Sequence, residues 1–355
     1  MRNRRPMLPF AVGAAVVLMP LVAACTPGTT PVSASAPALA PTRAAAPAQS
    51  SLPRPSVHIV QGGRGVAGLA HYAAIEDGYY ARHGVDVTSE AMGSEALLIA
   101  AIQSGDAAVA TLSQDTVITA SLVGGDFMVL AAQLHGLAQG IIAQPNVHSA
   151  VELQGKRVGV SSVTAPAAIA LRFYLAAHGL KLQRDVTLVA TGGVPQSRAA
   201  LETGALEAIG IPQPTGYTLA RAGFTELDDS STRDIKYTQG VLATTRRYLD
   251  EHPDAVRRML AGYTEAMRAM LEDKAAAERV LGKWVGVDDP ADLDRTYEII
   301  RRRYPLGPAV DPESVQTSID LIAEAKPEAG GLRASQLVDN TLVNEAAARW
   351  GFPTR

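Results

Sequence analysis

Val57-His58-Ile59-Val60-Gln61-Gly62-Gly63-Arg64-Gly65-Val66-Ala67-Gly68 is the stretch on which the fold turns. A short apolar run reads as a strand, and a glycine-rich turn follows it. Apolar residues at helical spacing then begin, predicting a helix over 67–83. The alternation continues downstream. Strands are predicted over 85–89, 107–112 and 128–133, with helices over 95–104 and 116–123 between them. The pattern restarts after Gln154-Gly155-Lys156, with strands over 157–161, 186–190 and 208–211 and helices over 165–178 and 195–202. Strand–helix alternation with short Gly-marked turns is the signature of a parallel α/β sheet. From Pro253 the chain turns helical, over 254–273, 275–285, 293–304 and 313–325.

Two short segments echo each other, Gln139-Gly140-Ile141-Ile142-Ala143 and Gln239-Gly240-Val241-Leu242-Ala243. They lie where the second α/β unit begins and ends. Read as a pair of strands crossing between two lobes, they place 56–143 plus 244–355 in lobe 1 and 144–243 in lobe 2.

The N-terminal region has a different composition. Arg2, Arg4 and Arg5 precede an apolar run that ends at Val22-Ala23-Ala24-Cys25, the order of an export signal over 1–24. Cys25 is the only cysteine of the 355 residues, which excludes an intramolecular disulfide framework and a cysteine-based zinc site. The box around Cys25 resembles that of bacterial lipoproteins, which implies lipidation of Cys25. Residues 25–55 are rich in Ala, Pro and Ser and read as a disordered tether. The chain carries 32 Lys and Arg against 35 Asp and Glu, so no basic excess favours nucleic acid.

A family resemblance sits on the run Ala73-Ala74-Ile75-Glu76-Asp77-Gly78-Tyr79-Tyr80-Ala81-Arg82-His83-Gly84-Val85-Asp86-Val87. It looks like a motif of the alkanesulfonate-, nitrate- and thiamine-pyrimidine-binding group of type II solute-binding proteins. Ser104-Gly105-Asp106-Ala107 and Leu153-Gln154-Gly155-Lys156-Arg157-Val158-Gly159-Val160 follow in that group's order. His252-Pro253 before a long helix resembles its return into the first lobe. The likeness runs from about Ser56 to Arg349. It implies a two-lobed type II periplasmic-binding-protein fold of α/β class, with two crossing hinge segments and a helical C-terminal region.

The resemblance implies a lipid-anchored clamp on the outer face of the cytoplasmic membrane or in the periplasm. Such a clamp delivers a small organic solute, anionic or heteroaromatic, to the permease of an ABC importer. It implies a monomer with no cofactor, no metal and no catalysis. Fungal relatives carry a cysteine-rich motif for pyrimidine synthesis that this chain lacks.

Ligands of open α/β sheets sit outside the carboxyl ends of the strands. That rule nominates Gly62, Gly63, Arg64, Gly93, Ser94, Gln114, Asp115 and His135 in lobe 1. In lobe 2 it nominates Ser162, Thr164, Gly193, Pro212 and Gln213, with Tyr217 close by. Ser94 and Thr164 precede helix starts and serve either an anion or plain N-capping. Arg64 offers a fork to a sulfonate, carboxylate or phosphate. Asp115 argues against a strongly anionic ligand or pairs with a ligand amine.

Two other readings compete. Gly63-Arg64-Gly65-Val66-Ala67-Gly68 fits G-x-G-x-x-G, and Asp86 lies 18 residues beyond Gly68, near the place of a ribose acid. That combination describes an exported nucleotide-binding oxidoreductase. The other reading is a clamp of the same shape that serves as a ligand sensor.

Overall fold

The computed structural model describes residues 53–92 and 94–355. The export signal, Cys25, the tether as far as residue 52 and Gly93 lie outside the described residues.

The first lobe opens with β1 (Ser56–Gln61), α1 (Leu69–Glu76), α2 (Tyr79–Arg82) and β2 (Asp86–Ala91). It continues through α3 (Glu95–Ser104), β3 (Val109–Leu112), α4 (Gln114–Leu122) and β4 (Phe127–His135). The one helix expected over 67–83 is two, because Gly78 takes φ 72° between α1 and α2. A side chain there would meet nothing, so the left-handed backbone alone selects glycine. The second lobe holds β5 (Gln139–Ala143), β6 (Arg157–Val160), α5 (Pro166–Ala177), β7 (Thr187–Ala190), α6 (Val194–Glu202), β8 (Ala208–Pro212), α7 (Thr215–Arg221) and β9 (Thr225–Asp229). β10 (Thr238–Thr245) returns to the first sheet. After it come α8 (Arg246–Glu251), α9 (Pro253–Glu272), α10 (Lys274–Val285), α11 (Pro290–Arg303), α12 (Pro312–Ala323), α13 (Ala334–Leu337) and α14 (Thr341–Arg349).

The sheets repeat one plan. Their orders are β2-β1-β3-β10-β4 and β7-β6-β8-β5-β9. In each, four strands run one way, and one reversed strand lies between the third and fourth. The parallel expectation holds for those four. The reversed strand is in both cases the first one formed after the chain changes lobes. The echo segments are these strands, so 139–143 belongs to the second sheet and 239–243 to the first. The crossings therefore fall earlier than the boundaries at 143 and 243, at 136–138 and 233–237. They run side by side: Gly136 N donates to Tyr237 O at 2.6 Å and Ala138 N to the Gln239 side chain at 2.5 Å.

Alternation along the strands fills both faces of the first sheet. Val57 and Ile59 of β1 pack under α1 and α9, and Val60 packs under α3 and α4. β4 is buried at all nine positions although it closes one side of the sheet. The C-terminal region explains this. Pro308 O accepts from Ala132 N, and Val338 bridges Val129, so the exposed edge of an apolar strand is covered. In the second lobe α5 covers one face through Leu171 and Leu175. Ile209 and Ile211 pack with Leu201 and Leu219 on the other.

Candidate functional site

The carboxyl ends of the strands of both lobes meet. A methyl group on Gly65 would lie 3.8 Å from Gln213 O and from Pro212 Cβ, and one on Gly63 would lie 4.0 Å from Val194. The Gly62–Arg64 turn after β1 thus rests against the loops that follow β7 and β8. The loop after β3 touches the loop after β6. Ser113 Oγ lies 3.3 Å from Thr164 O, and Thr116 Oγ1 lies 3.1 Å from Thr164 Oγ1. Ser162 Oγ continues the row, 3.2 Å from Thr164 Oγ1.

Glu95 organises the lobe 1 side of this contact. It is the first residue of α3, half-buried. Its Oε1 accepts from Ser113 N at 2.7 Å, and its Oε2 lies 2.9 Å from Ser113 Oγ and accepts from Thr116 Oγ1. Ser113 is itself the N-cap of α4, and its Oγ accepts from Thr116 N. Two helix N-termini therefore converge on one carboxylate. Sequence reasoning singled out Ser94 and missed Glu95, because an acid in a helix's first turn already complements the helix dipole. The available signal was the pair of hydroxyls at Ser113-x-x-Thr116.

The other nominated residues divide into two groups. Gly63, Thr164 and Pro212 lie at the interlobe contact, with Gly62 and Ser162 beside them in the same loops. Gly193 caps α6 beside them, where Val194 faces Gly63. Ser94 Oγ accepts from Leu97 N at 3.4 Å, an exposed N-cap. Thr164 caps nothing, since Ala165 holds the N-cap of α5 ahead of Pro166. Arg64 turns its guanidinium over Trp284 at 5.4 Å, and Trp284 stacks on Tyr72 at 5.1 Å.

The second group is built into the framework. Gln114 donates to Ser314 O and Ser318 Oγ of α12 at 2.9 and 2.8 Å. His135 lies 3.1 Å from Gly307 O, and burial pulls its pKa down to about 4, so it stays neutral. Gln213 Oε1 accepts from Tyr217 N at 3.2 Å, and its amide faces Glu226 at 3.4 Å. Tyr217 donates to Asp229 at 2.8 Å beneath Arg295, whose guanidinium is 3.6 Å from the ring. Asp115 is buried and accepts from Tyr237 Oη at 3.1 Å, which ties the start of α4 to the second crossing. Burial is the main cause that pushes the Asp115 carboxyl up to about 7.

Asp86 opens β2 opposite Ser56, at the amino end of the sheet. A ribose acid belongs at the carboxyl end, so the dinucleotide reading loses its acid. Among the described residues no group of three or more His, Cys, Asp or Glu could hold a metal ion. No helix among them is long and apolar enough to cross a membrane.

A family model described as NMT1/THI5 like matches residues 68–277. No curated protein matches the sequence. Among solved structures, a protein of Bordetella bronchiseptica RB50 is 19% identical with a TM-score of 0.71, covering 83% of this chain and 98% of that one. The alkanesulfonate-binding protein SsuA from Xanthomonas axonopodis pv. citri, bound to MOPS, is 18% identical with a TM-score of 0.66, covering 82% and 97%. The periplasmic nitrate-binding protein NrtA from Synechocystis PCC 6803 is 17% identical with a TM-score of 0.64, covering 83% and 88%. Likeness at these identities establishes the shared two-lobed fold.

Proposed function

The chain belongs to the NMT1/THI5-like family, and from that premise we propose that it is an extracytoplasmic solute-binding protein of an ABC importer. It holds a small solute between its lobes and presents the closed form to a permease. One observation carries the reading. Two sheets of the same strand order face each other through their carboxyl-end loops and, among the described residues, are joined by two short crossings, 136–138 and 233–237. That arrangement can open and shut about the crossings while each lobe stays intact. Relatives of the same fold whose names state binding of alkanesulfonate or nitrate support it.

The anchor is part of the proposal. A signal cut before Cys25 and a lipidated Cys25 would hold the folded body on a tether of about 30 residues. The protein is then a membrane-anchored monomer whose partners are the solute and the permease subunits. Its action is capture, without catalysis or cofactor.

Small-angle scattering on gently purified protein tests the clamp. Stripping the retained solute should raise the radius of gyration, and returning it should lower it again. A radius indifferent to solute would remove the proposal. Intact mass of the membrane-extracted protein tests the anchor, since diacylglycerol on an N-terminal Cys25 gives a mass that cleavage at any other site does not.

A further inference from the structure

We propose that Asp115 is a proton-operated catch on the clamp: while its carboxyl holds a proton the lobes stay shut, and loss of that proton favours their parting. The inference rests on the solute-binding reading above and adds a condition under which the clamp lets go.

The geometry sets a buried carboxyl where the moving parts join. Asp115 lies in the first turn of α4 and is 2% exposed. It accepts from Tyr237 Oη at 3.1 Å, and Tyr237 ends the second crossing. The next residue, Thr116, reaches Thr164 of lobe 2 at 3.1 Å, and Ser113 reaches the Thr164 carbonyl at 3.3 Å. Lobe 2 therefore forms part of the cover over this end of α4. Swinging it away admits water to the carboxyl.

The surrounding groups decide which form of Asp115 the shut clamp prefers. Tyr237 brings a hydroxyl from the crossing, and Ser318 brings one from α12. Glu95, at the start of α3, is a like charge. Arg172 of α5 opposes it from lobe 2, but it is the weakest of these influences and pairs with Glu324 at 2.6 Å. Lys236, beside Tyr237, pairs with Glu313 of α12 at 2.8 Å on the exposed side. Among the described residues no cation bonds to Asp115. Two N–H groups at the head of α4 that would favour an anion are engaged, Ser113 N by Glu95 and Thr116 N by Ser113 Oγ. Burial, ahead of every other cause, holds the carboxyl up to about 7 in the shut form. Wetted by opening, it returns toward its ordinary 3.8. Shutting the lobes thus takes up a proton. Closure is strongest below about pH 4 and weakens as pH rises through 7.

The test uses the full chain stripped of solute, with the low-molecular-mass filtrate of the heat-denatured protein as probe. Small-angle scattering follows closure as filtrate is added at pH 5 and at pH 8, and circular dichroism checks that the protein stays folded. Wild type should need at least tenfold more filtrate for half closure at pH 8 than at pH 5. Asp115→Asn, an amide of the same size that carries no charge at either pH, should need less than threefold more. Tyr237→Phe removes a hydroxyl that favours the ionised carboxyl, so the midpoint of the pH dependence should move upward. Equal requirements at both pH values in wild type, the wild-type ratio in Asp115→Asn, or a midpoint in Tyr237→Phe that is unchanged or lower overturns the inference. The same curves separate the two levels of the argument. Filtrate that shuts the lobes equally at both pH values removes the catch and keeps the clamp, while lobes that it moves at neither remove the clamp as well.

Discussion

Between Thr116 and Thr164 the lobes meet through hydroxyl oxygens 3.1 Å apart, whereas along α11 they meet through guanidinium groups. Arg295 of α11 reaches both Glu226 oxygens at 3.1 and 3.0 Å and lies over the Tyr217 ring. Arg221 of α7 answers from lobe 2, at 2.7 Å from Asp289 and 3.0 Å from Asp292. Arg302 and Arg303 donate to Ser231 O at 2.8 and 3.2 Å. The two seams respond differently to motion. A long arginine can follow a carboxylate through several degrees of rotation. A hydroxyl pair at 3.1 Å is lost once the oxygens separate by much more than half an ångström. The clamp should therefore part at the hydroxyl seam, with α11 keeping hold of the second lobe.

The largest effect should come at Arg303. Its side chain is only 5% exposed, and it donates to Ser231 O and Arg233 O at the start of the second crossing. A methyl group on Gly136 would stand 2.9 Å from Arg303 Cζ, so crossing and guanidinium are fitted to each other. Arg303→Met strands the Arg233 carbonyl next to the pivot, leaves Ser231 O to Arg302 alone, and should cost about 3 kcal/mol, the scale for breaking a buried charged network. Urea unfolding monitored by circular dichroism reads it. A loss below about 1 kcal/mol would mean that the α11 seam does not hold the crossings.

The next effect is at Asp115, which links the hydroxyl seam to the second crossing through Tyr237. Its folded pKa of about 7 lies above its ordinary value of 3.8. The stability it contributes is therefore full below about pH 4 and is lost as pH rises through 7. The slope is at most about 1.4 kcal/mol per pH unit, or roughly 2 kcal/mol lost between pH 5 and 7. Asp115→Asn should flatten that limb. His71 and His135 carry the opposite sign, since burial holds both near 4, and their contribution is lost as pH falls below about 6.5. Subtracting the stability profile of the Asn variant from that of the wild type isolates Asp115. A difference that does not vary with pH would exclude a protonated carboxyl there.

How far the sequence carried this picture depends on whether a feature is local. Strand–helix alternation is local, and Val57, Ile59, Val109 and Ala208 lie in the strands where their runs placed them. The echo of Gln139-Gly140 and Gln239-Gly240 was also legible, and it has one physical cause in both lobes. Gly140 leaves room for the Gln213 amide, 3.0 Å from where a methyl would stand, and Gly240 for that of Gln133 at 2.6 Å. What stayed hidden depends on partners distant in sequence. Strand direction after a crossing leaves no mark in composition. β9, Thr-Glu-Leu-Asp-Asp, alternates too weakly to read as a strand because none of its five residues is fully buried. Polar Gln114, His135 and Gln213 read as ligand groups, and only their contacts with Ser314, Gly307 and Glu226 show them turned into the framework.

A smaller effect sharpens the contrast in salt. Arg295 is 44% exposed in its side chain, so Arg295→Leu should cost about 1 kcal/mol, from the ion pair and the ring contact together. Molar sodium chloride should erase much of the difference from wild type in thermal unfolding, because screening acts over about 3 Å at that strength. A difference untouched by salt would assign the contact to packing of the arginine on Tyr217.

The smallest energetic effect belongs to Thr164→Val. Valine keeps the shape of threonine and removes the oxygen that faces Thr116. Thr116 keeps its bond to Glu95, and Ser162 loses only a half-buried partner. Global stability should change by less than about 1 kcal/mol. The population of shut lobes should change more visibly, since this hydroxyl spans them. In solute-free protein, scattering should give Thr164→Val a larger radius of gyration than wild type at low and high salt alike. Arg295→Leu should expand the protein at low salt only. The reverse result, expansion from the arginine at every salt concentration and none from the threonine, would place the parting seam along α11 and the lasting one at the strand ends.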